Sequence, residues 1–466
     1  MKRGEAQQSL IATNRWWRDP QRWPARDPDL RDAGDAPFRY QAGVLSNLTP
    51  GSLYMLRGPR RVGKTVEVKL AIRNLIAGGI EPRRIAHMAV DGLRSRDLGM
   101  LIDAAGSLMP EGVRRFWFFD EITGITDGWP ERIKWLRDND TRFRTDTVVL
   151  TGSSAADLTA ATKALAGRRG GAVDSDRVLL PIGFRSFLRL SSAEPPPENT
   201  EPLGIDALTS ARLAEAGQRL APWLDVMIRG WETYLRVGGF PSAVASHVAS
   251  REEAESLRAS LADVIHGDAF SRASWSRAQT TDLLRRLAAG LCAPVNVASM
   301  ANDIGVSQTT LKYRLDELRE AFVLWPCHRE DGLRPKLGAQ AKLYFTDPVY
   351  ARLAPSAGFD LPRLSQQQLG MALLRASERA GPGAHVEFDR VLHHRTRTRK
   401  EIDFVGPGFG GVSIESKYVD GSWRRDALTL KASPWRGIIA TRSELDLAGP
   451  EVVAAPAALL AWLIDS

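Results

Sequence analysis

The segment Gly58-Pro59-Arg60-Arg61-Val62-Gly63-Lys64-Thr65 fits the pattern Gly, four residues, Gly-Lys-Ser/Thr. It stands between a strand-like run and a helical one, which is the context such a phosphate loop requires. The glycines let backbone N–H groups turn inward around an anion, and the start of a helix adds partial positive charge. Lys64 is expected to reach the β- and γ-phosphates of ATP, and the Thr65 hydroxyl to hold Mg2+. Downstream, the apolar run Arg115 to Phe119 ends in Asp120-Glu121. A buried strand ending there delivers Asp120 to the Mg2+ shell and Glu121 to the water that attacks. The plainer alternative is that both acids cap the next helix. After the run Thr147 to Leu150 comes Thr151-Gly152-Ser153, where Ser153 is a candidate for positioning the lytic water. Arg168 and Arg169, in a glycine-rich loop, are either γ-phosphate contacts or a solvated basic loop.

Two further constellations lie beyond. In His393 to Val405 the residues alternate as in a strand, which places Arg395, Arg397, Arg399 and Asp403 on one face and Ile402 and Phe404 on the other. A glycine turn, Gly406 to Gly411, leads into Val412 to Lys417. If these runs pair, Asp403, Glu415 and Lys417 converge: two carboxylates to hold Mg2+ and an ammonium to orient or activate the nucleophile of a phosphodiester cleavage. The alternative is a surface hairpin with ordinary ion pairs. Upstream, Val297 to Leu315 reads as helix, turn, helix, with Gly305 in the turn and Ser307 as the cap. Leu311, Leu315 and Leu318 form a buried stripe, while Gln308, Thr309, Lys312 and Tyr313 face outward, as residues that read DNA do. Asp316, Glu317 and Glu320 argue the other way, because acids repel phosphates.

Elements to position these groups are legible. Strand-like runs at Ser52 to Leu56, Arg84 to Val90, Arg115 to Phe119, Thr147 to Leu150 and Val178 to Leu180 alternate with helical patterns, among them Thr65 to Ala77, which Gly78-Gly79 ends. Apolar strands alternating with helices imply a parallel sheet covered on both faces. Trp16, Trp17 and Trp23 in an N-terminal arm either staple it to this core or stack on adenine. Ser191 to Pro202 is proline-rich and reads as a linker.

Composition sets the bounds. A core seldom grows past ~250–300 residues, so a 466-residue chain implies more than one domain. Its two cysteines, Cys292 and Cys327, exclude a disulfide framework and a four-cysteine zinc site. Neither a membrane-spanning apolar run nor a secretory leader is read, so a cytoplasmic location with no membrane partner is expected. The net charge of +8 and pI of about 9.6 permit a polyanionic partner.

On these motifs the chain resembles the bacterial and archaeal AAA+ ATPases that join a P-loop core to a winged helix and a PD-(D/E)XK nuclease-like tail. Further carriers are Pro181-Ile182-Gly183-Phe184-Arg185-Ser186-Phe187, Tyr234 to Pro241 with its Gly-Gly-Phe-Pro, Lys342 to Asp347, and Glu401 to Phe404 with Glu415-Ser416-Lys417. The resemblance implies an α/β fold: an AAA+ parallel-sheet core, a helical region, a winged helix and a restriction-endonuclease-like C-terminal domain. The expected layout is a Trp/Arg-rich arm over 1–45, the ATPase core over 46–190, a linker over 191–203, a lid-like helical region over 204–280, the winged helix-turn-helix over 281–335 and the nuclease-like domain over 336–466. Such tails often carry a helical glutamate after a glycine; after Gly370 this chain has none, and Glu378 or Glu387 is left as a substitute. The implied function is an Mg-dependent ATP hydrolase acting on nucleic acid, DNA first, with ATP binding and hydrolysis coupled to the nuclease-like C-terminal domain, in mobile-element or phage control. The alternative is a nucleotide-switched DNA-binding regulator or scaffold whose tail does not cut. Assembly is open between rings, dimers and monomers.

Overall fold

The computed structural model describes residues 3–125, 127–152, 161, 164–172, 174–197, 202–250, 255–269, 275–353, 360–377, 389–396 and 399–465. The chain divides between Leu180 and Pro181 into two compact units.

The first unit is built on five strands: β1 (Leu53–Arg57), β2 (Ile85–Ala89), β3 (Phe116–Asp120), β4 (Thr147–Thr151) and β5 (Asp176–Val178). Their order is β2-β3-β4-β1-β5, and every pairing is parallel. β1, β3 and β4 are buried along their whole length, as apolar runs without alternation predict. Because all five strands point the same way, β1, β3 and β4 end on one edge of the sheet. The helix Lys64–Ala77 follows β1 and stops at Gly78 and Gly79, where Gly79 takes φ +88°.

The N-terminal arm is part of this unit. Its helix Arg3–Thr13 leads to Asn14, whose side chain donates to the His87 carbonyl and accepts from the His87 N–H. Trp16 and Trp17 donate from Nε1 to the Ile85 carbonyl at 3.1 and 2.7 Å. These bonds satisfy the outer polar groups of β2, an edge strand, and so blunt it against other chains. Trp16 and Trp23 are buried edge to face. All three indoles are in the core, so the stapling role holds and adenine stacking does not. At the far end of the sheet, Asp146 accepts from the Arg115 N–H and guanidinium and from Trp117 Nε1, all buried.

The second unit opens with helices, including Phe184–Ser191, Leu224–Val237 and Pro241–Val248. Gly239 explains the Gly-Gly-Phe-Pro segment: a Cβ there would stand 2.1 Å from the Ile182 carbonyl oxygen. Its N–H donates to Asp347 at 2.7 Å and its carbonyl accepts from the Ile182 N–H at 2.7 Å. Burial pushes the Asp347 carboxyl up to about 6, against the pull of the Val349 and Gly239 amides. Helices Arg277–Ala289, Val297–Ile304 and Gln308–Glu320 follow.

Then comes a mixed seven-stranded sheet of β6 (Leu324–Arg329), β7 (Lys342–Phe345), β8 (Leu392–Arg395), β9 (Glu401–Val405), β10 (Val412–Ser416), β11 (Arg436–Thr441) and β12 (Val452–Pro456). The order is β12-β11-β10-β9-β8-β6-β7. β6 and β7, which flank the expected boundary at 335/336, pair antiparallel with each other. The helix Leu361–Ala376 and the wholly buried helix Ala457–Ile464 complete the unit. One expectation is corrected here. His393 to Val405 is not one strand with a continuous basic face but two, β8 and β9, folded into an antiparallel pair that sets Arg395 opposite Glu401. Thr396 turns the chain: its N–H donates to the Lys400 carbonyl, its hydroxyl accepts from the Lys400 N–H, and Arg399 takes φ +65°.

Asp146→Ala leaves a buried Arg115 guanidinium without its carboxylate, a loss worth about 3–5 kcal/mol. Thermal melts of the full chain are expected to show an earlier first transition, while the exposed-pair change Asp138→Ala moves it little.

Candidate functional site

β1 runs into the loop Gly58 to Gly63, and the loop into the helix Lys64–Ala77. Gly58 has φ +150°, and a Cβ on it would lie 2.2 Å from the Leu179 carbonyl oxygen, so the position accepts only glycine. Gly63 has φ +100° and precedes a helix that no side chain caps, which leaves its first-turn N–H groups directed at the loop. Pro59 and Val62 are buried, and Arg60 and Arg61 are exposed. The Lys64 ammonium donates to the Gly58 and Pro59 carbonyls at 3.0 and 3.1 Å and stands 3.8 Å from Glu121.

Asp120 ends β3 beside this loop. The Thr65 hydroxyl donates to its Oδ2 at 2.8 Å, and the Thr151 hydroxyl, at the end of β4, donates to its Oδ1. Burial pushes the Asp120 carboxyl upward, but the His87 imidazole and the Thr151 and Thr65 hydroxyls outweigh it, and the pKa falls to about 2. Glu121 turns away from the strand with φ +55°, a conformation costly for a residue with a side chain, and its N–H donates to Thr151 at 3.0 Å. The structure thus brings together Gly58 to Thr65, Asp120 and Glu121. Ser153 lies outside the described residues. Arg168 is paired with Asp138 and Arg169 forks onto Asp176, each at 2.7 Å.

Two residues of this site were missed. Thr151 bridges Asp120 and the Glu121 amide; its signal was a hydroxyl on the last residue of an apolar strand. His87, on β2, places a buried Nε2 without a hydrogen-bond partner 3.7 Å from Asp120. A lone imidazole in the apolar run Ile85 to Met88 was the signal.

In the second unit, Asp403 on β9 and Glu415 on β10 meet across the antiparallel pair, with Lys417 beyond it. The Asp403 N–H donates to Glu415 and the Ser416 N–H to Asp403, both at 3.0 Å. Lys417 stands 3.2 Å from Glu415 and 3.8 Å from Asp426. Two partners were not anticipated. Lys342 of β7 donates to Asp403 Oδ1 at 2.8 Å, and Gln366, one turn before Gly370, donates to the same oxygen at 2.7 Å. Burial and then the Asp403 charge push the Glu415 carboxyl well above the usual range. Burial works against the Lys342 charge, but Asp403 outweighs it and holds the ammonium above its ordinary pKa. Glu378 and Glu387 lie outside the described residues.

In the helix pair, Gly305 takes φ +76° and the Ser307 hydroxyl accepts from the Thr310 N–H. Leu311 and Leu318 are buried and Leu315 half-buried, while Gln308, Thr309, Lys312 and Tyr313 are exposed. All three acids are paired, Glu317 with Arg314 and both Asp316 and Glu320 with Arg319. Among the described residues, no helix is long and apolar enough to cross a membrane.

Two outcomes follow for the first site. The depressed Asp120 carboxyl stabilises the fold by roughly 2 kcal/mol above about pH 4, an increment lost as pH falls toward 2. Urea unfolding between pH 6 and pH 2.5 is therefore expected to show a wild-type advantage over Asp120→Asn that shrinks with acid. Thr151→Val removes the hydroxyl under both acids, and ATP turnover is expected to drop roughly 10–100-fold; a nucleotide-binding titration reads whether affinity changes with it.

Residues 51–188 match a family model described as an AAA domain, and residues 228–354 match one described as a domain of unknown function. No curated protein matches the chain. Among solved structures, the Walker-type ATPase paby2304 of Pyrococcus abyssi is 14% identical, with 71% of this chain and 94% of that one covered and a TM-score of 0.37. The ORC2 protein of Aeropyrum pernix, solved as ADPNP-ADP complexes, is 12% identical over 67% and 88%, with a TM-score of 0.34. The ORC1 protein of Aeropyrum pernix, solved in complex with DNA, is 14% identical over 73% and 95%, with a TM-score of 0.27. Likeness at these scores adds nothing to the family match and the loop geometry. Together those two show that the chain carries an AAA-type P-loop ATPase domain over residues 51–188.

Proposed function

We propose that this chain is an Mg-dependent ATP hydrolase that acts on nucleic acid. The observation that carries the hydrolase reading is the convergence of the phosphate loop, Thr65, Asp120 and Glu121 on one edge of the parallel sheet. A hydroxyl and a carboxylate 2.8 Å apart are the hard oxygen donors that Mg2+ takes, and the neighbouring loop is cut for an anion, so these residues fit the ion. Thr65 and Asp120 would hold it, and its charge would offset that of the β- and γ-phosphates.

The rest of the chemistry belongs to the chain. The amides of Gly58 to Thr65 bind the phosphates, and the Lys64 ammonium exchanges the Gly58 and Pro59 carbonyls for phosphate oxygens. Thr151 fixes the Glu121 backbone, and the Glu121 carboxylate accepts a proton from the water that attacks the γ-phosphorus. The bond from that phosphorus to the β–γ bridging oxygen breaks, and ADP and phosphate leave. Ser153 remains the candidate for holding the water.

The nucleic-acid part of the reading rests on the helix-turn-helix over Val297 to Glu320, read as part of a winged helix. Its outward row offers a cation, two amide or hydroxyl groups and the exposed ring of Tyr313, which suits phosphate, base-edge and stacking contacts. The arginines that neutralise Glu317 and Glu320 reduce the repulsion the acids would exert.

ATP turnover is expected to vanish in Lys64→Ala, and hydrolysis that survives this change sinks the assignment. Glu121→Gln is expected to keep nucleotide binding while turnover falls roughly 10²–10⁴-fold, the usual worth of a general base. Electrophoretic shifts of duplex DNA should weaken steeply between about 50 and 200 mM salt, as phosphate contacts require. They should weaken again in Lys312→Ala/Tyr313→Ala; affinity indifferent to both changes removes the helix pair from the reading.

A further inference from the structure

The Asp403 and Glu415 carboxylates were expected to hold Mg2+, and their surroundings do not fit that ion. A dication needs carboxylate oxygens turned toward it and room for its remaining waters. Here each of the four oxygens already faces a donor. Asp403 Oδ1 accepts from Lys342 Nζ at 2.8 Å and from Gln366 Nε2 at 2.7 Å. Asp403 Oδ2 accepts from the Ser416 N–H, Glu415 Oε2 from the Asp403 N–H, and Glu415 Oε1 faces Lys417.

Two ammonium groups already stand at the cluster, Lys417 beside Glu415 and Asp426 and Lys342 beside Asp403, and Lys342 is 2% exposed. It also lies 3.4 Å from Glu401. Although β7 is the edge strand of the sheet, the Lys342 side chain is buried and its ammonium is held by Asp403 at 2.8 Å. A dication placed between Asp403 and Glu415 would therefore meet a fixed positive charge where a metal site needs only acids or neutral oxygens. Gln366 reinforces this. From the helix Leu361–Ala376 it presents an N–H to Asp403 where a metal site would need an oxygen, and the same amide donates to the Tyr344 hydroxyl at 2.8 Å.

We propose that Lys342 is the resident cation of this centre, so that the C-terminal sheet excludes divalent metal and does not cut phosphodiester bonds. Asp403 and Glu415 then serve as the anchors that pin β7, β9 and β10 to one another. The inference is independent of the ATPase reading, since the two sites lie in different units and are tested with different ligands.

The test is direct ion binding. The nucleotide-free full-length chain is titrated with Mn2+, with free ion read by electron paramagnetic resonance, beside Asp403→Asn and Glu415→Gln. The titrations are expected to superimpose, because neither substitution removes an ion site; any Mn2+ bound near Asp120 is common to all of them. A site present in the wild type and lost from either variant overturns the proposal. Lys342→Met is the converse arm. Without the ammonium, Asp403 and Glu415 face each other with one partner missing, and the variant is expected to gain one Mn2+ per chain and a melting temperature that Mn2+ raises. A folded Lys342→Met that gains no site also overturns it. If that variant does not fold, the comparison of wild type with the two carboxylate variants decides alone.

Discussion

The first unit depends on one constraint, the common direction of its five strands. Parallel pairing brings the ends of β1, β3 and β4 to one edge, and there the Asp120 carboxylate is clamped between the hydroxyls of Thr65 and Thr151. A carboxylate so deeply buried is stable as an anion only because hydroxyls, and an imidazole nearby, face it. The same two hydroxyls tie the phosphate loop to β4, so the site and the sheet are held by one set of bonds. Glu121 takes its left-handed backbone conformation at the next residue, where the Thr151 hydroxyl receives its N–H. Strain of this kind persists where the surroundings over-determine it.

The second unit rests on a different kind of contact. Three motifs that the family resemblance singled out, Pro181 to Phe187, Gly238-Gly239-Phe240-Pro241 and Lys342 to Asp347, come together at Gly239. Its missing side chain makes room for the Ile182 carbonyl, and that of Gly238 for the Asp347 carboxylate, which accepts the Gly239 N–H. The pattern has a steric origin: a turn too tight for a Cβ, closed by a buried acid that accepts backbone N–H groups. Nothing in that arrangement requires a ligand.

Both units bury carboxylates, and the partners decide what each can do. Asp120 is held by hydroxyls, which are neutral and share their oxygens with an incoming ion. Asp403 is held by an ammonium and an amide, which repel one. Residue type alone would have grouped these acids together; the charge of the neighbouring donor separates them.

Much of this was readable from the chain. Apolar runs without alternation gave buried parallel strands, and glycines at fixed spacing, followed by lysine and threonine, gave the loop, because only that pattern lets backbone amides close around an anion. The carboxylates ending β3, the hairpin at Gly406 to Gly411 and the capped helix pair at Ser307 were local signals of the same sort. The rest depended on residues distant in sequence. Alternation over His393 to Val405 looked continuous because a turn built on Thr396 leaves no proline or glycine mark. Thr151 and His87 enter the site through strand order, and Lys342 and Gln366 reach Asp403 from 61 and 37 residues away. Sequence determines which groups a strand or helix can present; only the tertiary fold decides which charges share a buried volume, because that depends on strand order and register, which no local pattern encodes.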